Sequence, residues 1–347
     1  MKIYESKNFK KNYENYLLYL LKKGYKLYEN KDKAEHACSE LLIKLQASDV
    51  IVYDECESEC KIYNDPDNKK NDKFYSDLSN FLNAERISRK NNKILSFEAN
   101  EAPYGMITVY YKDKKGEEHH FTLHSDQLGF SAVPCTYFKQ NYPLSRYLEM
   151  QKNKSDKDPD AIANFLTKYV YTTRTLGGSF LWPESWQRDY NMRRGNRSYI
   201  EDRVDLTLLE IKHYFEYREL DDKKIFKYSG DILFRYYDNL DAQTWFGFFD
   251  SFEDYVDFFM FNDFVDKDEQ TKEYTPINIL TGKAFETDYP ERETNVLKKA
   301  SEEELKKMLD LVMDKVKTRS EDMEKLIAKY KQTYDTKGEK HENILHE

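Results

Sequence analysis

Hydrophobic side chains recur along most of this chain at the spacing of an α-helix. Between residues 8 and 46, two such runs are separated by a turn near Gly24, which predicts a helical hairpin. Shorter helices are predicted at about 78–89 and 160–174. Another is predicted after residue 203, because four apolar side chains share one helical face: Val204, Leu208, Ile211 and Phe215.

Two segments alternate as strands do. Residues 106–111 and 120–124 are joined by a polar connection containing Gly116, which predicts a β-hairpin within a small antiparallel sheet near 94–124. The polar stretch 64–73 has the turn residues of a loop.

The region after residue 225 is aromatic and acidic. Helices are predicted at about 226–239 and 243–265, and the second carries ten aromatic side chains. Ten acids and one lysine lie between Asp238 and Glu269. Residues 271–300, which contain Pro276 and Gly282, are expected to form a loop.

The C-terminal region has the clearest helical pattern. Ser301 and Glu304 form a capping box, which predicts a helix start. Eight positions then alternate at spacings of four and three, as in a coiled coil. We call them the C-terminal seam: Leu305, Leu309, Val312, Val316, Arg319, Met323, Leu326 and Tyr330. The seam predicts a homodimer through 301–332, the alternative being packing on the chain's own core.

Together these patterns predict an α+β fold that is mostly helical, with the small antiparallel sheet and a long C-terminal helix. The predicted organisation has four parts: a helical region at 1–92, a central α+β domain at 93–270, a linker at 271–300, and a C-terminal helix and tail at 301–347.

Composition limits the class of protein. The 39% hydrophobic and 15% aromatic content excludes a disordered chain. Mean hydropathy is −0.91, and no apolar run is long enough to span a bilayer. Four scattered cysteines and an N-terminus without a signal-peptide pattern favour the cytoplasm. The Lys, Asn, Tyr and Ile content is typical of a low-GC bacterium or its phage, and suggests a role in phage–host conflict.

Arginine is concentrated in residues 171–218, which hold seven of the thirteen arginines and the chain's Gly-Gly pair. Guanidinium groups bind phosphate or carboxylate through two parallel hydrogen bonds, and close backbone approach at glycines favours anions. We therefore predict a phosphate-bearing ligand, either nucleic acid or nucleotide. The net charge of −9 argues against a general nucleic-acid coat but does not exclude a local basic site.

The predicted anion site consists of Arg174, Gly177, Gly178, Arg188, Asn191, Arg193, Arg194, Arg197 and Arg203. Additional candidates are Ser125, Asp126, Asp202 and Asp205. The alternative is an internal network in which these arginines pair with Asp189, Glu201, Asp202, Asp205 or the acidic aromatic helix.

A resemblance covers about residues 120–270. The patterns T-x-GG-x4-P from Thr175, N-x2-RG from Asn191 and I-x-DR-x-DLTL from Ile200 resemble the centre of an uncharacterised bacterial protein family. SD-x2-G-x-S from Ser125 and DYVDFF from Asp254 are similar to it as well. The resemblance implies no reaction, but it implies that 125–131 and 174–208 form one functional surface.

Other chemistry has weaker support. Asp205, Glu210 and Lys212 are spaced as in Mg²⁺-dependent nucleases, but that motif needs a strand and the spacing here is helical. One strand face would carry His120, Thr122, His124 and Asp126. His124 and Asp126 have the form of a metal-binding pair, but a solvated surface is the better interpretation of this face. Cys56 and Cys60 are interpreted as reduced thiols. We expect no metal and no cofactor, with Mg²⁺ only for a nuclease.

No motif in the chain establishes an enzyme. The second function hypothesis is a non-catalytic interaction or inhibitor protein. It would bind partner proteins through the acidic aromatic helix and the C-terminal seam.

Overall fold

The computed structural model describes residues 69–99, 107–128, 147, 150–151, 165, 168–169, 172–173, 176–184, 203–218, 239–286 and 300–335. The predicted helical hairpin at 8–46 lies outside these ranges, and so does the helix predicted at 226–239 except for Asn239, which is the N-cap of the helix that begins at Leu240. The described helices are α1 Lys69–Ser88, α2 Val204–Tyr217, α3 Leu240–Phe246, α4 Phe252–Phe259 and α5 Glu302–Asp335. Short 3-10 turns occur at Leu176–Gly178 and Asn262–Phe264. The strands are β1 Ile94–Ala99, β2 Ile107–Lys112, β3 Glu118–Gln127, β4 Ser179–Glu184, β5 Val265–Lys267, β6 Tyr274–Asn278 and β7 Lys283–Ala284.

The predicted fold class is confirmed. Helix accounts for 53% and strand for 22% of the described part, so the protein is α+β and mostly helical. Among the described helices, none combines the length and apolar character needed to cross a membrane.

The first sheet is antiparallel in the order β1-β2-β3-β4. Its β2–β3 hairpin is the predicted one, with Val109 paired to Phe121. The fourth strand was not predicted. Phe180, Leu181 and Trp182 are consecutive and all buried, so β4 is covered on both faces and lacks the alternation that marks a half-exposed strand.

The second sheet is antiparallel in the order β5-β6-β7, and its strands β6 and β7 lie where the sequence predicts a loop. That prediction is wrong for residues 274–278 and 283–284. Pro276 cannot donate a backbone hydrogen bond, which usually argues against a strand. Here its carbonyl oxygen accepts from the Phe285 N–H at 3.1 Å, and Gly282 supplies the positive φ (72°) of the following turn.

The single helix predicted at 243–265 is also wrong, because the chain there forms two helices. α3 ends at the cap Gly247, and α4 begins after Ser251, whose side chain accepts from the Asp254 N–H. α4 ends at Met260, which adopts the left-handed conformation with φ 53°. At α1 the predicted polar loop is too long, since the helix already begins at Lys69.

The core is largely aromatic. Rings from α3 and α4 pack on the first sheet, for example Phe259 against Phe180 at 6.2 Å and Phe246 against Trp182 at 6.0 Å between centroids. Ten aromatic residues of this region are buried: Trp245, Phe246, Phe248, Phe249, Phe252, Tyr255, Phe258, Phe259, Phe261 and Phe264. The aromatic surface on which the interaction-protein hypothesis depended is therefore covered within the single chain.

α5 confirms the predicted long C-terminal helix and its capping box. The Ser301 N–H donates to Glu304 Oε2 at 2.7 Å, and the Glu304 N–H donates to Ser301 Oγ at 3.3 Å. The six seam residues up to Met323 are all buried against the chain itself: Leu305, Leu309, Val312, Val316, Arg319 and Met323. Six of the eight seam positions are thus covered by the chain's own core, which favours the intramolecular alternative. The side chains of Leu326 and Tyr330 are not described, and the homodimer through 301–332 stays a prediction.

Arg319 fixes α5 in place. Its side chain is 1% exposed. Nε and Nη2 both donate to the carbonyl oxygen of Phe259, at 3.0 and 2.7 Å, and Nη1 donates to that of Gly177. The guanidinium also lies 4.8 Å from the centre of the Phe261 ring. One cation therefore connects three segments of the chain.

We expect Arg319→Met to destabilise the protein by roughly 2–4 kcal/mol, because two buried carbonyl oxygens lose donors at about 1–3 kcal/mol each. Lys317→Met is the matched control, since Lys317 is exposed in the same helix and forms a surface ion pair with Glu321, for which about 0–1 kcal/mol is expected. Urea denaturation measures both. The contrary outcome has two parts: the two variants are equally stable, and Arg319→Met is a monomer whereas the wild type is a dimer. That outcome would place Arg319 in an interface between two copies of the chain.

Candidate functional site

The structure brings together parts of the two predicted site segments. In the β3–β4 ladder, Ser125 is paired with Leu181 and Asp126 with Phe180. The Leu128 N–H also donates to the Gly178 carbonyl oxygen at 2.7 Å. The backbones of 125–128 and 178–181 are therefore neighbours, as the implied common surface requires.

The Gly-Gly pair has a packing role. Both glycines are buried. A Cβ atom on Gly177 would lie 1.9 Å from Ser320 Oγ of α5, and one on Gly178 would lie 1.9 Å from the Thr173 carbonyl oxygen. Close backbone approach is thus required here, but the neighbouring atoms belong to the protein. Packing of α5 against the turn before β4 explains Gly177, and the close approach of the Thr173 backbone explains Gly178.

Arg203 and Asp205 form a buried ion pair with each other. Arg203 is the extended N-cap residue of α2. Its Nε donates to Asp205 Oδ1 at 3.0 Å, and its Nη2 donates to Asp205 Oδ2 and, at 3.1 Å, to Asn278 Oδ1. Asp205 accepts further from the backbone N–H groups of Leu206 at 3.0 Å and Ile279 at 2.9 Å. For these two residues the internal-network alternative is correct, and they leave the candidate anion site.

The remaining predicted site residues are not placed by the structure. Ser125 and Asp126 are described through their backbone only. Seven residues lie outside the described ranges, and their assignment stays a prediction: Arg174, Arg188, Asn191, Arg193, Arg194, Arg197 and Asp202.

α2 is buried over its first eleven residues, from Val204 to Tyr214. The sequence predicts one apolar face, whereas the helix is covered on all sides. Burial lowers the pKa of Lys212, but hydrogen bonds to Glu216 and Glu273, both at 2.7 Å, outweigh it and raise the pKa above the ordinary value. Glu210 is fully buried on the same helix.

The helical conformation of α2 removes the geometry that a nuclease motif needs. Residues two apart in a helix are separated by about 200° around its axis, so Glu210 and Lys212 do not share a face. They cannot hold a Mg²⁺ ion and support its water from one side.

Sequence reasoning missed a buried acid–arginine–acid group between α1 and α4. Arg89 forms two hydrogen bonds to the Asp254 carboxylate and one, at 3.3 Å, to the Phe248 carbonyl oxygen. Its Nε lies 3.6 Å from Glu85 Oε2. Burial raises the pKa of Glu85 to about 7; Arg89 lowers it, and the Asp254 charge adds to the rise. Because 165 residues separate Arg89 from Asp254, no local sequence signal could have shown the contact.

The outer face of the hairpin agrees with its predicted solvated character. On this face His120 is exposed and Thr122 is half-buried. Phe121 and Leu123, which alternate with them on the opposite face of β3, are buried. The side chains of His124 and Asp126 are not described.

Fold and contacts thus define an α+β protein in which two antiparallel sheets and a long C-terminal helix share an aromatic core. A comparison with protein families matches residues 56–291 to a family of unknown function, DUF6994, and the chain belongs to that family. Comparisons with curated proteins and with solved structures give no match. The expectation of an uncharacterised family is confirmed by this result.

The contact between Gly177 and Ser320 can be tested by a double-mutant cycle. Gly177→Ala should destabilise the protein by roughly 1–3 kcal/mol through overpacking. Ser320→Gly removes the clashing side chain at a cost of about 1 kcal/mol in helix propensity. The double variant should therefore be more stable than the sum of the two effects predicts, by about 1 kcal/mol in urea denaturation. If the changes in unfolding free energy of the two single variants are strictly additive, the two residues are not in contact.

Glu85 predicts a pH dependence of stability. Its pKa is raised from 4.5 to about 7 on folding, so the folded state binds the proton more tightly. The stabilisation is complete below pH 4.5 and is lost as the pH rises through 7, by at most about 3 kcal/mol. Glu85→Gln, which cannot ionise, should flatten the fall in unfolding free energy between pH 5 and pH 8, whereas the exposed control Glu269→Gln should keep it. Parallel pH profiles for all three proteins would contradict the raised pKa.

Proposed function

We propose that this chain binds a phosphate-bearing ligand, nucleic acid or nucleotide, through the arginine-rich segment 185–202. Four arginines of the segment are the proposed contacts: Arg188, Arg193, Arg194 and Arg197. Arg174 and Asn191 are proposed to assist them. The observation that carries the proposal is a local surplus of positive charge, four arginines against one acid between residues 188 and 197, in a chain of net charge −9.

The described contacts support the proposal by removing two competing partners. Asp205 already accepts hydrogen bonds from Arg203 and from two backbone N–H groups. Asp254, on the acidic aromatic helix, accepts from Arg89 and from the Asp250 N–H at 2.9 Å. Both carboxylates are thus occupied by groups outside the arginine-rich segment. The acids left within 185–202 are Asp189, Glu201 and Asp202, one fewer than the arginines.

The position of the segment also suits a binding loop. It begins after β4, which belongs to the first sheet, and ends at Arg203, which the buried ion pair holds at the start of α2. Binding loops are commonly supported in this way, because ordered ends reduce the conformational entropy lost when a ligand binds. We place this function in the cytoplasm, and the role in phage–host conflict stays a hypothesis from composition.

Binding of a fluorescently labelled single-stranded oligonucleotide, followed by anisotropy with ATP as competitor, tests the proposal. Each of Arg193→Ala, Arg194→Ala and Arg197→Ala should weaken binding, and each lost phosphate contact should reduce the slope of log K against log salt by about 0.7. Melting temperatures should change little. Lys272→Ala, which removes an exposed charge elsewhere, should bind as the wild type does.

Two results would contradict the proposal. One is a set of arginine variants whose melting temperatures fall while their affinity for the oligonucleotide stays that of the wild type, which would make the arginines part of an internal network. A wild-type protein that binds neither the oligonucleotide nor ATP at low salt would exclude a phosphate site in this segment.

A further inference from the structure

The turn of the β2–β3 hairpin brings three ligand-type side chains together. Asp113, Glu117 and His119 each offer one donor atom, and these atoms all lie within 4.8 Å of one another. Asp113 and Glu117 are four residues apart across the turn, and His119 is the second residue of β3. In the sequence, the group lies well before the arginine-rich segment 185–202.

The turn fixes the orientation of the Asp113 carboxylate. Its Oδ1 accepts hydrogen bonds from the backbone N–H groups of Lys115 at 2.8 Å and Glu117 at 2.9 Å. The Asp113 N–H donates to the Glu117 carbonyl oxygen at 3.0 Å, and Gly116 supplies a positive φ of 84°. With Oδ1 held by the backbone, Oδ2 is directed toward His119 Nε2, which lies 3.3 Å away.

The His119 ring is also held from behind. It packs on Tyr111, whose ring centre is 5.5 Å away, and the Tyr111 hydroxyl donates to the buried Asp241 carboxylate at 2.6 Å. The side chains of Asp113 and His119 are only 15% and 16% exposed. Both potential ligands are thus ordered by contacts within the hairpin and the core, which is the arrangement that a metal site needs.

We propose that Asp113, Glu117 and His119 form a binding site for a divalent transition metal ion such as Zn²⁺. The combination of one imidazole and two carboxylates suits Zn²⁺, whereas Mg²⁺ prefers an all-oxygen octahedral shell with several waters. Three protein ligands leave a fourth tetrahedral position for water or an external ligand.

The sequence offers a neighbouring control for two of the three ligands. Glu118 and His120 follow Glu117 and His119 by one residue and lie on the opposite face of β3, where Glu118 pairs with Lys112 at 3.4 Å. Glu117→Gln can therefore be compared with Glu118→Gln, and His119→Gln with His120→Gln. Each pair makes the same chemical change at two adjacent positions of the hairpin.

Isothermal titration of chelator-treated full-length protein with Zn²⁺ tests the proposal. Because the chain has seven histidines and four cysteines, only the difference within each pair is decisive. His119→Gln and Glu117→Gln should each weaken one Zn²⁺ site by roughly tenfold or more. His120→Gln and Glu118→Gln should retain it, and Mg²⁺ should not compete. Identical isotherms for all four variants and the wild type, or the absence of micromolar Zn²⁺ binding, would show that Asp113 and His119 form a hydrogen-bonded pair only. Circular dichroism of each variant confirms that it is folded.

Discussion

The architecture of this protein depends on a buried cation that binds backbone carbonyl groups. Taking a guanidinium out of water is costly unless its donors find acceptors, and Arg319 finds them at Phe259 and Gly177. Those carbonyls belong to the end of α4 and to the 3-10 turn before β4. The arrangement requires α5 to approach the turn at backbone distance, which is why residue 177 has no side chain. The described seam residues of α5, Arg319 included, therefore pack on the chain's own core.

This constraint extends from the C-terminal helix to the proposed binding segment. The Gly178 carbonyl oxygen accepts from Leu128, so the turn held by Arg319 also sets the position at which β4 joins the sheet. β4 leads directly into 185–202, and the other end of that segment is held by Arg203 and Asp205. Two buried arginines thus contribute to the described structure on either side of the segment: Arg319 holds the turn before β4, and Arg203 follows the segment at the start of α2.

The sequence predicts correctly those elements that are determined by local interactions. The capping box of Ser301 and Glu304, the β2–β3 hairpin and the helix after Arg203 all depend on residues a few positions apart, and all three are present. β5, β6 and β7 were missed because they are only three, five and two residues long and because Pro276 and Gly282 are typical of a loop. β4 was missed because elements distant in sequence bury both of its faces, which removes the alternation of a half-exposed strand. The contacts of Arg89 with Asp254 and of Lys212 with Glu273 are equally distant. For the candidate site, the pairing of Arg203 with Asp205 was foreseen as an alternative, but choosing it required the three-dimensional positions of Asn278 and Ile279.

The described arginines also show what evidence a binding site requires. Arg86, Arg89, Arg203, Arg218 and Arg319 each donate to oxygen atoms of this same chain. Arginine in this protein is thus commonly a structural residue, and the presence of arginine alone does not indicate a ligand. What distinguishes 188–197 is its composition, because its ten residues include four arginines and one acid. Two carboxylates that could have neutralised these arginines, Asp205 and Asp254, are already bound elsewhere. A phosphate group, with its several oxygen acceptors and negative charge, satisfies such a surplus more completely than scattered carbonyl oxygens do.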